Sequence, residues 1–185
     1  MSKASVFMAE GMEEVECLAV VDMLKRGGVE TETVSVMDSV MVTGSHGITV
    51  KADRLFADQG FADSDLLFLP GGVPGTPNLA AHEGLCALLK EFAAGGKRLA
   101  AICAAPSVLG GLGLLQGKKA TCYPGWENKL AGARCEKDGV VTDGLITTGR
   151  GVGFAIDMGL ELVRLLEGEE RFLEVKQSIQ HPQYQ

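Results

Sequence analysis

The sequence predicts an α/β sandwich, a largely parallel sheet covered by helices on both faces. Three observations carry this. Short apolar runs alternate with longer segments of helical spacing along the chain. The inner runs "LLFL" and "LAAI" are apolar at every position, as strands buried on both faces are. Two conspicuous sequences, Pro70-Gly71-Gly72 and Cys103-Ala104-Ala105-Pro106, fall where a strand hands over to a helix. In such sheets that is where ligands sit.

Residues 4–9 are the first predicted strand, followed over 10–28 by helical spacing that stops at Gly27-Gly28. Residues 30–36 alternate polar and apolar, as a half-exposed strand does, and 41–50 carry β-rich arms around Gly-Ser-His-Gly, a hairpin signal. A core strand over 65–72 runs into the Pro-Gly-Gly turn, and a helix over 78–96 is again closed by glycines. The strand "RLAAI" (98–102) leads to Cys103 and a short helix from Ala105. Residues 118–123 read as another strand, and 133–149 as strand, Asp-Gly turn and strand. An amphipathic helix spans 154–168, with Ile156, Leu160, Val163 and Leu165/Leu166 on one side, and a terminal helix follows over 169–180.

A chain of 185 residues, 46% hydrophobic and 22% charged, suits one domain over 1–185 with a proper core. A net charge of -7, with basic residues scattered in pairs, argues against nucleic acid, which needs a clustered positive face. Glutamates arrive too early in "MSKASVFMAEGMEE" for a secretory signal. The longest uncharged run, 99–115, is interrupted by Pro106 and three glycines, so no membrane partner is expected. Five cysteines without a CxxC pair give no metal-ligand spacing. Unpaired thiols point to a reducing cytoplasm.

One of those thiols stands in "LAAICAAPSV". A buried strand ordinarily prefers bulk, and alanines around Cys103 give that packing up. A nucleophile at a strand-to-helix corner needs small neighbours two positions away, and here Ala101 and Ala105 occupy both sites. Pro106 fits the first turn of a helix. Free amides and the helix dipole at Cys103 would then lower its pKa below that of an ordinary cysteine. Those amides, with the backbone of Gly71 and Gly72, could cradle an oxyanion or a sulfinate. Composition alone would make a lone cysteine inert filling; the corner, the alanines and the proline together favour a reactive thiol. Cys17, Cys86, Cys122 and Cys135 lack that setting and are expected to be filling.

A reactive thiol needs an acid or base beside it. Glu16 shares a helix face with Val20, Met23 and Leu24. A carboxyl on an apolar face tends to stay protonated and donate a hydrogen bond. The same pattern fits a salt-bridged core residue, and spacing leaves both open. Glu13 and Glu14 suit the first turn of a helix, where acids complement the dipole.

With these motifs in order, the chain resembles the ThiJ/PfpI superfamily, specifically its parkinsonism-associated deglycase branch ("DJ-one" and YajL-like proteins). "EGMEEVECLAVVDMLKRGG", "LLFLPGG", "AAICAAPSVL" and "LITTGRGVGFAIDMGLELVRLL" carry the resemblance nearly end to end. It implies a flavodoxin-like three-layer sandwich, a homodimer and no cofactor. It also implies Cys103 as the nucleophile, Glu16 as its hydrogen-bonded carboxyl, and Gly72 and Ala104 as oxyanion-binding amides. The activity implied is glyoxalase III or deglycase chemistry on a small aldehyde such as methylglyoxal, or on a glycated substrate. A non-enzymatic oxidative-stress sensor or chaperone acting through Cys103 is the alternative, and a binding module without turnover a third.

Two positions depart from the family pattern. Tyr123-Pro124 stands where relatives carry His-Pro, and His46 where they often carry arginine. A phenol is a poor general base at neutral pH. Tyr123, His46 and Gly71 complete the candidate pocket. His82 is expected on the surface of a helix and His181 in a polar tail. Alanine after Cys103 excludes the protease-like branch, which has histidine there, and no His-x-Glu follows downstream, as glutamine amidotransferases require.

Overall fold

The computed structural model describes residues 1–58 and 60–182. Its strands are β1 (Lys3–Met8), β2 (Glu30–Ser35), β3 (Met41–Thr43), β4 (Thr49–Lys51), β5 (Arg54–Leu55), β6 (Leu66–Leu69), β7 (Arg98–Ile102), β8 (Lys119–Ala120), β9 (Arg134–Cys135), β10 (Val140–Asp143) and β11 (Ile146–Gly149). Its helices are α1 (Glu14–Arg26), α2 (Gly75–Ala81), α3 (Glu83–Ala94), α4 (Pro106–Gly111), α5 (Ala155–Glu167) and α6 (Glu169–Ser178). Seven strands form one sheet in the order β10-β11-β7-β6-β1-β2-β5. Every neighbouring pair is parallel except β10 and β11. This is the α/β sandwich that the alternation predicts.

Side chains alternate across each strand, so the inner strands feed two cores. Val6, Met8, Leu66, Phe68, Ala100 and Ile102 face one, with α1, α5 and Val175 of α6. Phe7, Leu67, Leu69, Leu99 and Ala101 face the other, with α2, α3 and α4. The register explains part of the alanine run. Phe68 lies opposite Val6 on β1 and Ala100 on β7, so a small residue in β7 accommodates the large one beside it.

The chain enters the sheet at its middle with β1, builds outward through β2 and β5, then crosses back to β6, β7 and β11. The reversal lies between β1 and β6, the switch point at which α/β sheets open a crevice. Glu16 follows β1, Gly71 and Gly72 follow β6, and Cys103 follows β7. All three therefore converge at the carboxyl ends of adjacent strands.

Several predicted elements are corrected. The helix expected over 78–96 is two helices, α2 and α3, divided at His82. The imidazole Nδ1 accepts the Leu85 amide at 3.0 Å, so His82 caps α3 and is half-buried against Phe56. The 118–123 strand shrinks to Lys119–Ala120, and the 133–149 run forms three short strands, with Asp143-Gly144 turning β10 into β11. Ile156 is exposed, and α5 buries Ala155, Met158, Gly159, Leu160, Leu162 and Val163 instead. Cys135 is exposed and Cys86 half-buried, so they are not core filling, whereas Cys17 and Cys122 are buried. His181 pairs with Asp157 at 3.1 Å. Among the described residues no helix is long and apolar enough to cross a membrane.

Candidate active site

Cys103 sits on a sharp corner between β7 and α4. Its φ is +63°, the left-handed region that side chains rarely adopt. The surroundings over-determine this conformation. The Cys103 amide donates to the Gly149 carbonyl at 2.9 Å, the Ala105 amide to Ile102 at 3.0 Å, and the Tyr123 amide to the Cys103 carbonyl at 2.8 Å. Ala101, Ala104 and Ala105 are buried around it, which is why bulk is excluded here. Strained backbone held by hydrogen bonds on both sides is the geometry of a nucleophile elbow.

Glu16 is fully buried in the first turn of α1. The helix starts there because the Glu13 carboxylate caps it, accepting the Glu16 amide at 2.6 Å. The Glu13 amide in turn donates to the Gly71 carbonyl at 2.9 Å, which ties the helix start to the β6 turn. The Gly71 amide donates to Glu16 Oε2 at 2.9 Å. Glu16 Oε1 is buried without a hydrogen-bond partner. Among the described residues no positively charged side chain reaches this carboxyl, which overturns the salt-bridged alternative for Glu16 there.

Space at the junction is tight. A Cβ at Gly71 would lie 2.6 Å from both Cys103 Cβ and Glu16 Oε2. Gly72 has φ +93°, and a Cβ there would stand 2.3 Å from the Glu13 amide nitrogen. Both positions require glycine, the first for approach and the second for conformation as well.

The electrostatics follow from burial and mutual contact. Burial raises the Glu16 pKa to about 7, helped by the nearby Glu13 charge and opposed by hydrogen bonds with Cys103 and the Gly71 amide. Burial, the Glu16 charge and the hydrogen bond to Glu16 push the Cys103 thiol up to about 12, opposed by the amides of Ala104 and Gly72. A thiol lowered by the helix start is therefore not what the structure holds. Helix α4 begins at Pro106, three residues beyond Cys103, and is only six residues long. The pair sheds a first proton near 7 and holds a second to about 12. In the resting site the carboxyl is the weaker holder of its proton, and burial beside Glu16 keeps the thiol protonated.

The other candidates are placed unevenly. The Gly72 and Ala104 amides both face the sulfur. Tyr123 is half exposed and joined to Cys103 through its backbone. His46 does not reach the sulfur. It lies on the β3–β4 turn, where its amide donates to Glu14 Oε1 at 2.8 Å and Nδ1 sits 2.9 Å from Oε2. Glu14 is accordingly buried, 2% exposed, and clamps the hairpin to α1. Sequence reasoning assigned Glu13 and Glu14 to the dipole and missed both tasks. Three glutamates within four positions, ahead of a lone histidine between turn residues, were the available signal. Glu13, Glu14 and His46 bring ligand-type atoms within 4.8 Å of one another, but both Glu14 oxygens are engaged by the hairpin, which disfavours a metal there.

Comparison with known proteins bears on family and fold. The sequence profile of the DJ-1/PfpI family matches residues 2–165. Protein DJ-1 homolog B of Arabidopsis thaliana is 40% identical over 94% of this chain, which spans only 40% of that relative's length. A deglycase of Pyrococcus abyssi is 32% identical over 88% of this chain and 98% of its own. The solved structure of oxidized Toxoplasma gondii DJ-1 superposes with a TM-score of 0.93 at 34% identity, covering 97% of this chain and 98% of that one.

Proposed function

The chain belongs to the DJ-1/PfpI family, and from that premise we propose that it is a cysteine-dependent enzyme of the glyoxalase III or deglycase type. Its substrates are reactive aldehydes such as methylglyoxal, or their adducts. The observation that carries this is a fully buried carboxyl pressed against a strained cysteine, with the amides of Gly72 and Ala104 facing the sulfur. The deglycase name of the Pyrococcus abyssi relative supports it.

In this mechanism the Cys103 thiolate adds to the aldehyde carbon of an α-oxoaldehyde, forming a C–S bond and a hemithioacetal oxyanion. The amides of Gly72 and Ala104 stabilise that charge, a contribution that grows as water is excluded. Glu16, at first protonated, gives its proton to the oxyanion. Its carboxylate then removes the proton on the former aldehyde carbon and returns it to the neighbouring carbonyl carbon, while the hydroxyl proton passes to that carbon's oxygen. The result is a thioester, and the two carbons have exchanged oxidation level without an external redox partner. Water cleaves the C–S bond, releasing a 2-hydroxy acid and regenerating the thiol. Lactate formation from methylglyoxal by wild type and Cys103→Ser tests the proposal. Turnover by wild type and its loss in the variant is expected; equal rates would end it.

A second use of the same residues is supported by the oxidized state named for the Toxoplasma relative and by the half-buried position of Cys103. Two successive oxygen transfers from a hydroperoxide would convert the thiolate to a sulfinate, each leaving an alcohol or water. Mass spectrometry after mild peroxide should then find two added oxygens on Cys103 before the other thiols change. A homodimer belongs to the same proposal, supported by exposed apolar Val15 and Leu18 on α1 and Ile48 on the adjacent hairpin.

A further inference from the structure

Building on the Cys103 chemistry proposed for this chain, we propose that Glu13 is a positioning residue that holds the Glu16 carboxyl at the catalytic corner and links it to His46 on the surface. Three parts of the site meet at Glu13. Its Oε2 accepts the Glu16 amide at 2.6 Å, and its own amide donates to the Gly71 carbonyl at 2.9 Å. Its other oxygen, Oε1, lies 3.8 Å from His46 Nδ1. The Glu13 side chain is 14% exposed and the imidazole 67%, so the pair connects solvent to a carboxyl that is fully buried.

Residues three apart at a helix start are neighbours, so the two acids feel each other as well as sharing a backbone contact. Besides burial, the groups acting on the Glu16 proton are Cys103 on the elbow, the Glu13 charge and the Gly71 amide. Of these only Glu13 joins burial in opposing ionisation, as a like charge does. Cys17, the next residue along, is itself buried beside both acids and stays protonated, its pKa pushed up to about 12. Glu14 is turned to the hairpin, where its carboxylate accepts the His46 and Ile48 amides.

His46 is the only cationic group set against these acids by an ion pair. The hydrogen bond to Glu14, then the charges of Glu14 and Glu13, raise its pKa, so it still holds a proton near the pH at which Glu16 releases one. A protonated imidazole offsets the Glu13 charge, and its loss restores that charge beside Glu16. His46 does not act on Glu16 directly, so its influence passes through Glu13. The two side chains therefore work on the Glu16 proton in opposite senses, although neither touches the sulfur.

Carboxyl-carbon NMR titration of Glu16 in the full chain, assigned with Glu16→Gln, tests this without relying on turnover. Glu13→Gln keeps an acceptor for the Glu16 amide and removes the charge. It should lower the Glu16 midpoint by about half a pH unit or more, a loss of about threefold or more in proton affinity. His46→Gln should raise the midpoint, and should do nothing in the Glu13→Gln background, because a coupling that runs through Glu13 vanishes with it. The kcat/KM profile for methylglyoxal should move with the midpoint in each variant, whereas a merely structural role would lower the rate and leave the profile in place. An unmoved midpoint in Glu13→Gln, or a His46→Gln shift of equal size with and without the Glu13 charge, would overturn the proposal. His46 is exposed, so its variant keeps the test if Glu13→Gln fails to fold, and no upward shift from it would overturn the link. Shifted midpoints in a protein that turns over no aldehyde would sink the activity and leave the Glu13 assignment standing.

Discussion

Substituting Gly71→Ala separates Cys103 from Glu16 while leaving both side chains chemically intact. The added Cβ would lie 2.6 Å from Cys103 Cβ, 2.6 Å from Glu16 Oε2 and 2.9 Å from the Ile102 carbonyl. Those contacts are about 1 Å short of van der Waals separation. Two of the three obstacles are fixed to the elbow, so the Glu16 carboxyl gives way, moving off the Gly71 amide and away from the sulfur. Displacement on that scale costs on the order of 10²-fold in rate, or about 2.7 kcal/mol in the barrier. Overpacking should remove about 1–3 kcal/mol of stability, which a domain of this size survives. The assay is kcat/KM for lactate formation from methylglyoxal, alongside a melting curve. A folded variant with kcat/KM within a factor of about two of wild type would refute the proposed dependence on that contact.

The pH dependence should report the shared proton: kcat/KM rises as the pair loses its first proton near 7 and stays level until the second is lost near 12. A flat profile from about pH 5 to about pH 9 would contradict this. Glu14 gives a separate signal, in stability. Burial raises its pKa, but His46 and the amides of Glu14, His46 and Ile48 outweigh burial and hold it down to about 2. A carboxylate depressed in the folded state stabilises fully above its unfolded value and loses that contribution as pH falls toward about 2. Melting temperature should therefore fall more steeply below about pH 4.5 in wild type than in Glu14→Gln; parallel acid limbs would sink the clamp.

Much of this was legible in the sequence because its causes are local. Apolar runs such as 66–69 and 99–102 fit buried strands in an α/β chain, and alanine around Cys103 fits a cramped corner. The hairpin around His46 followed from its glycines. What the sequence concealed depends on distant partners. His82 ends one helix and caps the next because its ring reaches the Leu85 amide, a choice that helical spacing over 78–96 hides. Glu14 looks like any first-turn acid until the hairpin folds over it. The thiol pKa was misjudged because helical pattern alone does not show that α4 starts only at Pro106, or that Glu16 presses against the sulfur.

The most direct test of the proton-sharing pair is Glu16→Gln exposed to methylglyoxal, with the protein's mass and released lactate followed together. Cys103 should still take up the aldehyde, while lactate release falls by at least about 10²-fold, since a carboxyl that moves a proton between carbons is worth roughly that much. Lactate at the wild-type rate from this variant would mean that the carboxyl moves no proton, contradicting the mechanism at its centre.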